Sequence, residues 1–178
     1  MVQPVIVGGS NSLGSNSVDS CTIELSRRPA LPSILLTNAN RVLNKIDELY
    51  LLTKNCPIDI ICITESWLDD GVPNCLCDLP EYRLFRKDRM TGPGGGVMCY
   101  VADSLFCDIC KPSVVSVYDF EVLWVVLRPK LLPRPLSVVV LAVVYCPPWY
   151  TVDLKRGLSS YITACIDFLL VNLPLQAF

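Results

Sequence analysis

Histidine is absent from the 178-residue chain. Every mechanism that needs an imidazole base or an imidazole metal ligand from this chain is therefore excluded. Charge is scarce as well. Lys plus Arg number 15 and Asp plus Glu 17, a formal net charge of −2, so bulk charge carries no signature of a general nucleic-acid binder. Charged residues make up only 18% against 52% hydrophobic, which excludes disorder of the whole chain. Long apolar runs are missing. The longest, residues 138–146, is far too short to cross a bilayer as a helix. Nor do residues 1–9 carry the basic stretch and apolar run of a secretory signal.

What the chain has in excess is cysteine, 10 residues in all. Most sit in apolar runs, where a free thiol behaves as a small hydrophobe. Together with the missing signal this reads as a reducing compartment, nuclear or cytoplasmic and not secreted. Cys75-x-Cys77 and Cys107-x-x-Cys110 could supply four thiolates to a structural zinc. The first pair is tighter than usual and the two pairs lie far apart, which argues against it.

Residues 1–30 are rich in Ser, Asn and Gly without periodicity and read as a flexible leader, with the folded domain expected over 31–178. Residues 33–37 predict a buried strand, 41–54 a helix ended by Pro57, and 58–64 a second buried strand. Strand, helix and strand within about 30 residues form a βαβ-like unit and point to parallel neighbours in an α/β sheet. Further strands are expected over 82–86, 97–101, 114–117, 121–127 and 136–145. The last two flank the proline-rich connection 128–135. Residues 152–171 predict a helix ended by Pro174.

Several side chains stand where they could carry chemistry. Glu65 follows directly on the apolar 58–64 strand, at the end of a strand where open α/β sheets place ligands. Such a carboxylate suits a hard cation like Mg²⁺, which often takes only one or two protein carboxylates. It equally suits a turn or a helix cap. Asn38 ends the first strand and shares that rim, as a ligand-arranging amide or as a capping residue. Arg86, Lys87 and Arg89 form the densest basic cluster and lead into Gly94-Gly95-Gly96. Guanidinium forks and backbone amides suit phosphate contacts. A solvated charge run before a turn would look the same, and no Lys-Ser/Thr follows to make a P-loop. Tyr145 closes the most apolar strand, its hydroxyl free to reach a phosphate oxygen or to pack at an edge. A nucleophile elbow is missing, and a nucleophilic Cys would lack its His.

The motifs run in a telling order. Asn38-Ala39 precedes Leu43-Asn44-Lys45, then the 57–68 stretch containing Ile63-Thr64-Glu65-Ser66-Trp67-Leu68. Arg86-Lys87-Asp88-Arg89, Gly94-Gly95-Gly96-Val97 and Tyr145-Cys146-Pro147-Pro148 follow. In this order the chain resembles the endonuclease/exonuclease/phosphatase superfamily. Within it, the chain is most similar to the apurinic/apyrimidinic-type endonuclease domain of non-LTR retrotransposons, from about Ile34 to Phe178. The resemblance implies a DNase-like, four-layer α/β fold, two sheets face to face with outer helices, incomplete at the C-terminus. It implies Mg²⁺-assisted hydrolysis of a phosphodiester, usually a nick in DNA. Glu65 matches the metal-binding Glu, Asn38 the Asn that arranges metal and phosphate, and Tyr145 the active-site Tyr. DNA is the implied partner, with no membrane and no obligate protein partner. A phosphatase of the same superfamily and a non-catalytic remnant are the alternatives.

The departures set a further expectation. The family continues into a Gly-Asp-Phe-Asn strand and a later Ser-Asp-His motif, and neither occurs here. The chain by itself is therefore expected to be catalytically incompetent, with apolar faces left uncovered. Asn40-Arg41 stands where the retrotransposon pattern usually has Arg-Ser.

Overall fold

The computed structural model describes residues 31–129, 132 and 138–173. The 1–30 leader, Pro174 and most of the proline-rich connection lie outside the described residues. The expected βαβ-like unit comes first. Strand β1 (Ile34–Asn38) leads through a 3₁₀ turn (Val42–Lys45) into helix α1 (Ile46–Asn55), and the chain returns as β2 (Ile60–Thr64). β1 and β2 are parallel, with Asn38 opposite Thr64 at their C-terminal ends. Every residue of β2 is buried, which is why Ile-Ile-Cys-Ile-Thr reads as an unbroken apolar run rather than an alternating one.

After a 3₁₀ turn (Asn74–Leu76), β3 (Tyr82–Lys87) and β4 (Val97–Ala102) pair antiparallel and complete one sheet in the order β1-β2-β4-β3. A second sheet has the order β5-β6-β7, from β5 (Phe106–Cys110), β6 (Val122–Arg128) and β7 (Val139–Val144). Helix α2 (Val152–Asn172) closes the described chain. Its cap, Thr151, accepts the Leu154 N–H through its side chain.

Alternation along the strands sorts their side chains into two faces. Ile60, Cys62, Val97, Cys99 and Val101 meet Cys107, Leu123, Val125, Leu127 and Val143 between the sheets. On the far side of the first sheet, Leu35, Ile61, Ile63, Met98 and Tyr100 pack with Val42 and Leu49 of the first turn and helix. On the far side of the second, Val122 and Trp124 pack with Leu158, Cys165 and Leu169 of α2. The layers are thus helix, sheet, sheet, helix, the α/β two-sheet sandwich of a DNase-like fold. Each fully buried Ile or Leu contributes about 1.5–3 kcal/mol of burial.

Several expectations are corrected. The first strand forms, but it is not a buried one: only Leu35 of its five residues is buried, because β1 lies at the edge of its sheet among the described residues. Residues 114–117 form no strand: Val115 and Val117 are 96% and 94% exposed. The run is apolar, but no neighbouring strand offers it a ladder. Strand β5 was not foreseen, because only Cys107 of its five residues is buried and Asp108 interrupts the apolar pattern. The 41–54 helix is split. Lys45, at φ −124° and ψ 0°, separates the 3₁₀ turn from α1. The thiol pairs do not meet either. Cys77 packs on the outer face of the first sheet and Cys107 between the sheets. Among the described residues no three metal-ligating side chains gather. No helix among them is long and apolar enough to cross a membrane.

Candidate active site

Because β1 and β2 run parallel, both deliver their last residues to one rim. The chain beyond each strand is then laced to its neighbour. Ala39, Arg41 and Val42 donate backbone N–H groups to Thr64, Glu65 and Ser66 carbonyls at 3.0, 3.1 and 3.0 Å. On the other side, Ser66 and Trp67 donate to the Gly96 and Gly95 carbonyls at 3.3 and 2.9 Å. Glu65 therefore sits on a segment held from both flanks. The backbone there is unusual: Asn40, Arg41, Glu65 and Trp67 all have positive φ, at 43°, 79°, 54° and 57°. Non-glycine residues in such regions cost on the order of 1–3 kcal/mol each and collect where geometry is fixed for function.

The second sheet supplies the opposing wall. Tyr145, just past β7, donates its backbone N–H to the Glu121 carbonyl at 3.0 Å. Its hydroxyl donates to Oε1 of Glu65. This hydrogen bond is the main reason the Glu65 carboxyl titrates below its ordinary range; burial opposes it, and the Asn38 amide, the Trp67 indole and the Arg89 charge lower it further. The Tyr145 phenol moves the other way, up to about 12, through burial and then the carboxylate beside it. Near neutral pH the pair is a carboxylate and an intact phenol.

Asn38, Glu65 and Tyr145 are thus brought together, from two strands of one sheet and one of the other. The basic trio is distributed differently. Arg86 donates to the Val72 and Asp69 carbonyls, each at 2.9 Å, and pairs with Asp88 at 2.8 Å. Lys87 donates to the Phe120 carbonyl at 2.6 Å and pairs with Asp119 at 2.9 Å. Both tie loops to β3. Arg89 alone of the three bears on Glu65 and Tyr145. It is held there by Oε1 of Glu121, which accepts from Nε at 2.9 Å and Nη2 at 2.6 Å, and by the Pro93 carbonyl at 3.0 Å.

Glu121 is the residue the sequence reading passed over. It is 3% exposed, and its second oxygen accepts the Gly96 N–H. One buried carboxylate thereby joins the glycine turn, Arg89 and the start of β6. A lone acid opening the apolar run Val122-Leu123-Trp124-Val125 was the available signal. Gly96 itself has no room for a side chain: at φ +79°, an added Cβ would lie 2.5 Å from the Ser66 hydroxyl.

No family model matches the sequence. No curated protein matches it either. Among solved structures, the fold is similar to that of the AP endonuclease LMAP from Leishmania major, with a TM-score of 0.54 and 16% identity. The match covers 76% of this chain and 47% of that one, so this chain spans about half the length of that protein. At this identity the likeness is one of fold.

Proposed function

We propose that the chain is the Glu65-bearing part of a Mg²⁺-dependent phosphodiesterase domain that acts on DNA, of the kind non-LTR retrotransposons use to nick their targets. The observation that carries this reading is the meeting of Asn38, Glu65 and Tyr145 at one rim of a DNase-like sandwich. The motif order supports the retrotransposon type, and the likeness to an AP endonuclease supports the fold.

The donor set fits the metal. Glu65 presents an ionised carboxylate, a hard donor, while Asn38 donates to that carboxylate and accepts the Asn40 N–H at 3.1 Å through Oδ1; no thiolate or imidazole gathers there among the described residues to favour zinc. Mg²⁺ keeps several waters and needs few protein ligands, so a single carboxylate suffices. When bound, the ion supplies polarisation of a phosphoryl oxygen and neutralisation of developing charge. The chain's own residues do the rest. Tyr145 fixes Oε1 of Glu65, and the Asn38 amide and the Trp67 indole help to hold the carboxylate in place. The Tyr145 phenol, intact at neutral pH, spends its one O–H on that carboxylate and so positions it. Asn38 orients whatever the carboxylate holds.

Nothing in the chain can act as an imidazole acid or base, and among the described residues Glu121, the other carboxylate near Tyr145, is tied up by Arg89 and the Gly96 N–H. The chain alone therefore binds the metal without turning over DNA. The test is a Mg²⁺ titration followed by backbone amide shifts, with nicking of supercoiled plasmid in parallel. Shifts centred on residues 38 and 65–67, abolished in Glu65→Gln, are expected, with no nicking. A flat titration would sink the metal-site reading. Mg²⁺-dependent nicking lost in Glu65→Gln would overturn the inactivity and strengthen the enzyme.

A further inference from the structure

Of the basic residues Arg41, Arg86, Lys87 and Arg89, three are occupied within the protein. Arg86, Lys87 and Arg89 each hold carbonyls and carboxylates of the protein itself. The fourth is Arg41. Its guanidinium lies over the Trp67 ring, 4.4 Å from the centroid, and among the described residues it has no carboxylate or carbonyl partner. Arg41 is exposed, and Trp67 is 36% exposed. The indole is held in its turn. Its six-membered ring packs so closely on Gly94 that an added Cβ there would lie 3.1 Å from Cε2. It also bears on the Glu65 carboxylate.

The backbone beneath both residues is left-handed, which non-glycine residues rarely adopt. Arg41 sits at φ 79° and ψ 88°, and Trp67 at φ 57°. The Arg41 N–H is hydrogen-bonded to the Glu65 carbonyl at 3.1 Å, so guanidinium and carboxylate belong to one laced unit. An arginine held over an indole loses little further freedom on binding, and its N–H fork matches two oxygens of a phosphate. Packing does not require this arrangement, since neither side chain is buried. A glycine at position 41 would accept the same backbone at lower cost.

We infer that Arg41, stacked on Trp67, is a phosphate-binding platform that holds the DNA backbone beside the phosphate presented to Glu65. The inference rests on the phosphodiesterase reading above and names the group that would grip its substrate. It assigns the free contact to Arg41 and leaves Arg86 and Lys87 to hold loops.

The experiment is binding of a 20-base-pair duplex by the full chain over a salt series, with Arg41→Ala, Arg41→Lys and Arg41→Gly. Arg41→Ala is expected to weaken binding about tenfold and to reduce the slope of log affinity against log salt by about one. Arg41→Lys should keep most of the slope and lose part of the affinity, because an ammonium neither stacks nor forks. Arg41→Gly separates binding from structure: it should melt at a higher temperature yet bind as weakly as Arg41→Ala. Wild-type affinity and slope in Arg41→Ala would overturn the platform and leave the phosphodiesterase reading standing. No binding by the wild-type chain would overturn both.

Discussion

Glu65 and Tyr145 hold each other in opposite protonation behaviour, and this can be tested one atom at a time. The phenol donates to the carboxylate, so removing the hydroxyl removes the largest cause of the lowered Glu65 titration. Tyr145→Phe is expected to return the Glu65 carboxyl toward its ordinary range, read by NMR titration of the side-chain carbonyl carbon. An unchanged midpoint would mean that Asn38, Trp67 and Arg89 suffice. The sign for stability follows from linkage. A carboxyl lowered in the folded state contributes stability above its unfolded range, and loses it as pH falls through the folded value. Wild type should therefore lose more stability than Tyr145→Phe on acidification through the carboxylate range. A phenol raised to about 12 works at the other end: its contribution is complete below the unfolded value and fades as pH climbs toward 12. Glu121 carries a larger stake. It is buried, it faces Arg89, and it also accepts the Gly96 N–H. Removing one member of a buried pair costs about 3–5 kcal/mol because the other is left uncompensated. Glu121→Ala should lose about that much in urea unfolding, and adding Arg89→Met should recover part of it. If the double variant is no more stable than Glu121→Ala, the stranded guanidinium is not the source of the loss.

The turns between strands, rather than the strands, decide where the chemistry-bearing groups meet. The turn at Gly94-Gly95-Gly96 does three things at once: it takes φ values of 76°, 70° and 79°, accepts the hydrogen bonds of Ser66 and Trp67, and donates to Glu121. Gly96→Ala would meet the Ser66 hydroxyl and hold a left-handed backbone. It should cost about 1–2 kcal/mol from the backbone alone, and more from the displaced Ser66. A stability equal to wild type would mean that the turn relaxes freely. Sequence made some of these elements legible and hid others for definable reasons. β2 is buried on both faces, so its apolar run announces it. β1 carries a similar run although only Leu35 of its five residues is buried. β5 and the 114–117 stretch are the reverse case. Local apolarity reports what could be buried, whereas a strand forms only where another offers its backbone, as β6 does for Phe106–Cys110. The convergence of Asn38, Glu65 and Tyr145 was legible through strand ends and motif order. Glu121 and the stacking of Arg41 on Trp67 were not, because both depend on where loops fold back.

At the scale of the molecule, the two sheets are offset, and one flank shows it. Contacts place β7 over β2 and β4, and β6 over β3 and β4, so among the described residues the second sheet packs chiefly on β2, β3 and β4 rather than on β1. Among the described residues β1 pairs only with β2, and β7 only with β6. Leu36 lies opposite Cys62, a residue of the inter-sheet core, yet Leu36 is 57% exposed, and Ile34, on the same face, is 41% exposed. An open strand edge beside uncovered aliphatic side chains is a template for another chain. The chain as it stands is therefore expected to self-associate with rising concentration. Sedimentation velocity over a concentration series reads this directly. Leu36→Lys places a charge on the uncovered face of an edge strand without touching the buried Leu35, and should shift the distribution toward monomer with little change in melting temperature. A concentration-independent monomer in wild type would mean that the flank is covered by part of the chain itself. A Leu36→Lys variant that associates as strongly would move the contact elsewhere, with the exposed β5 edge as the next place to look.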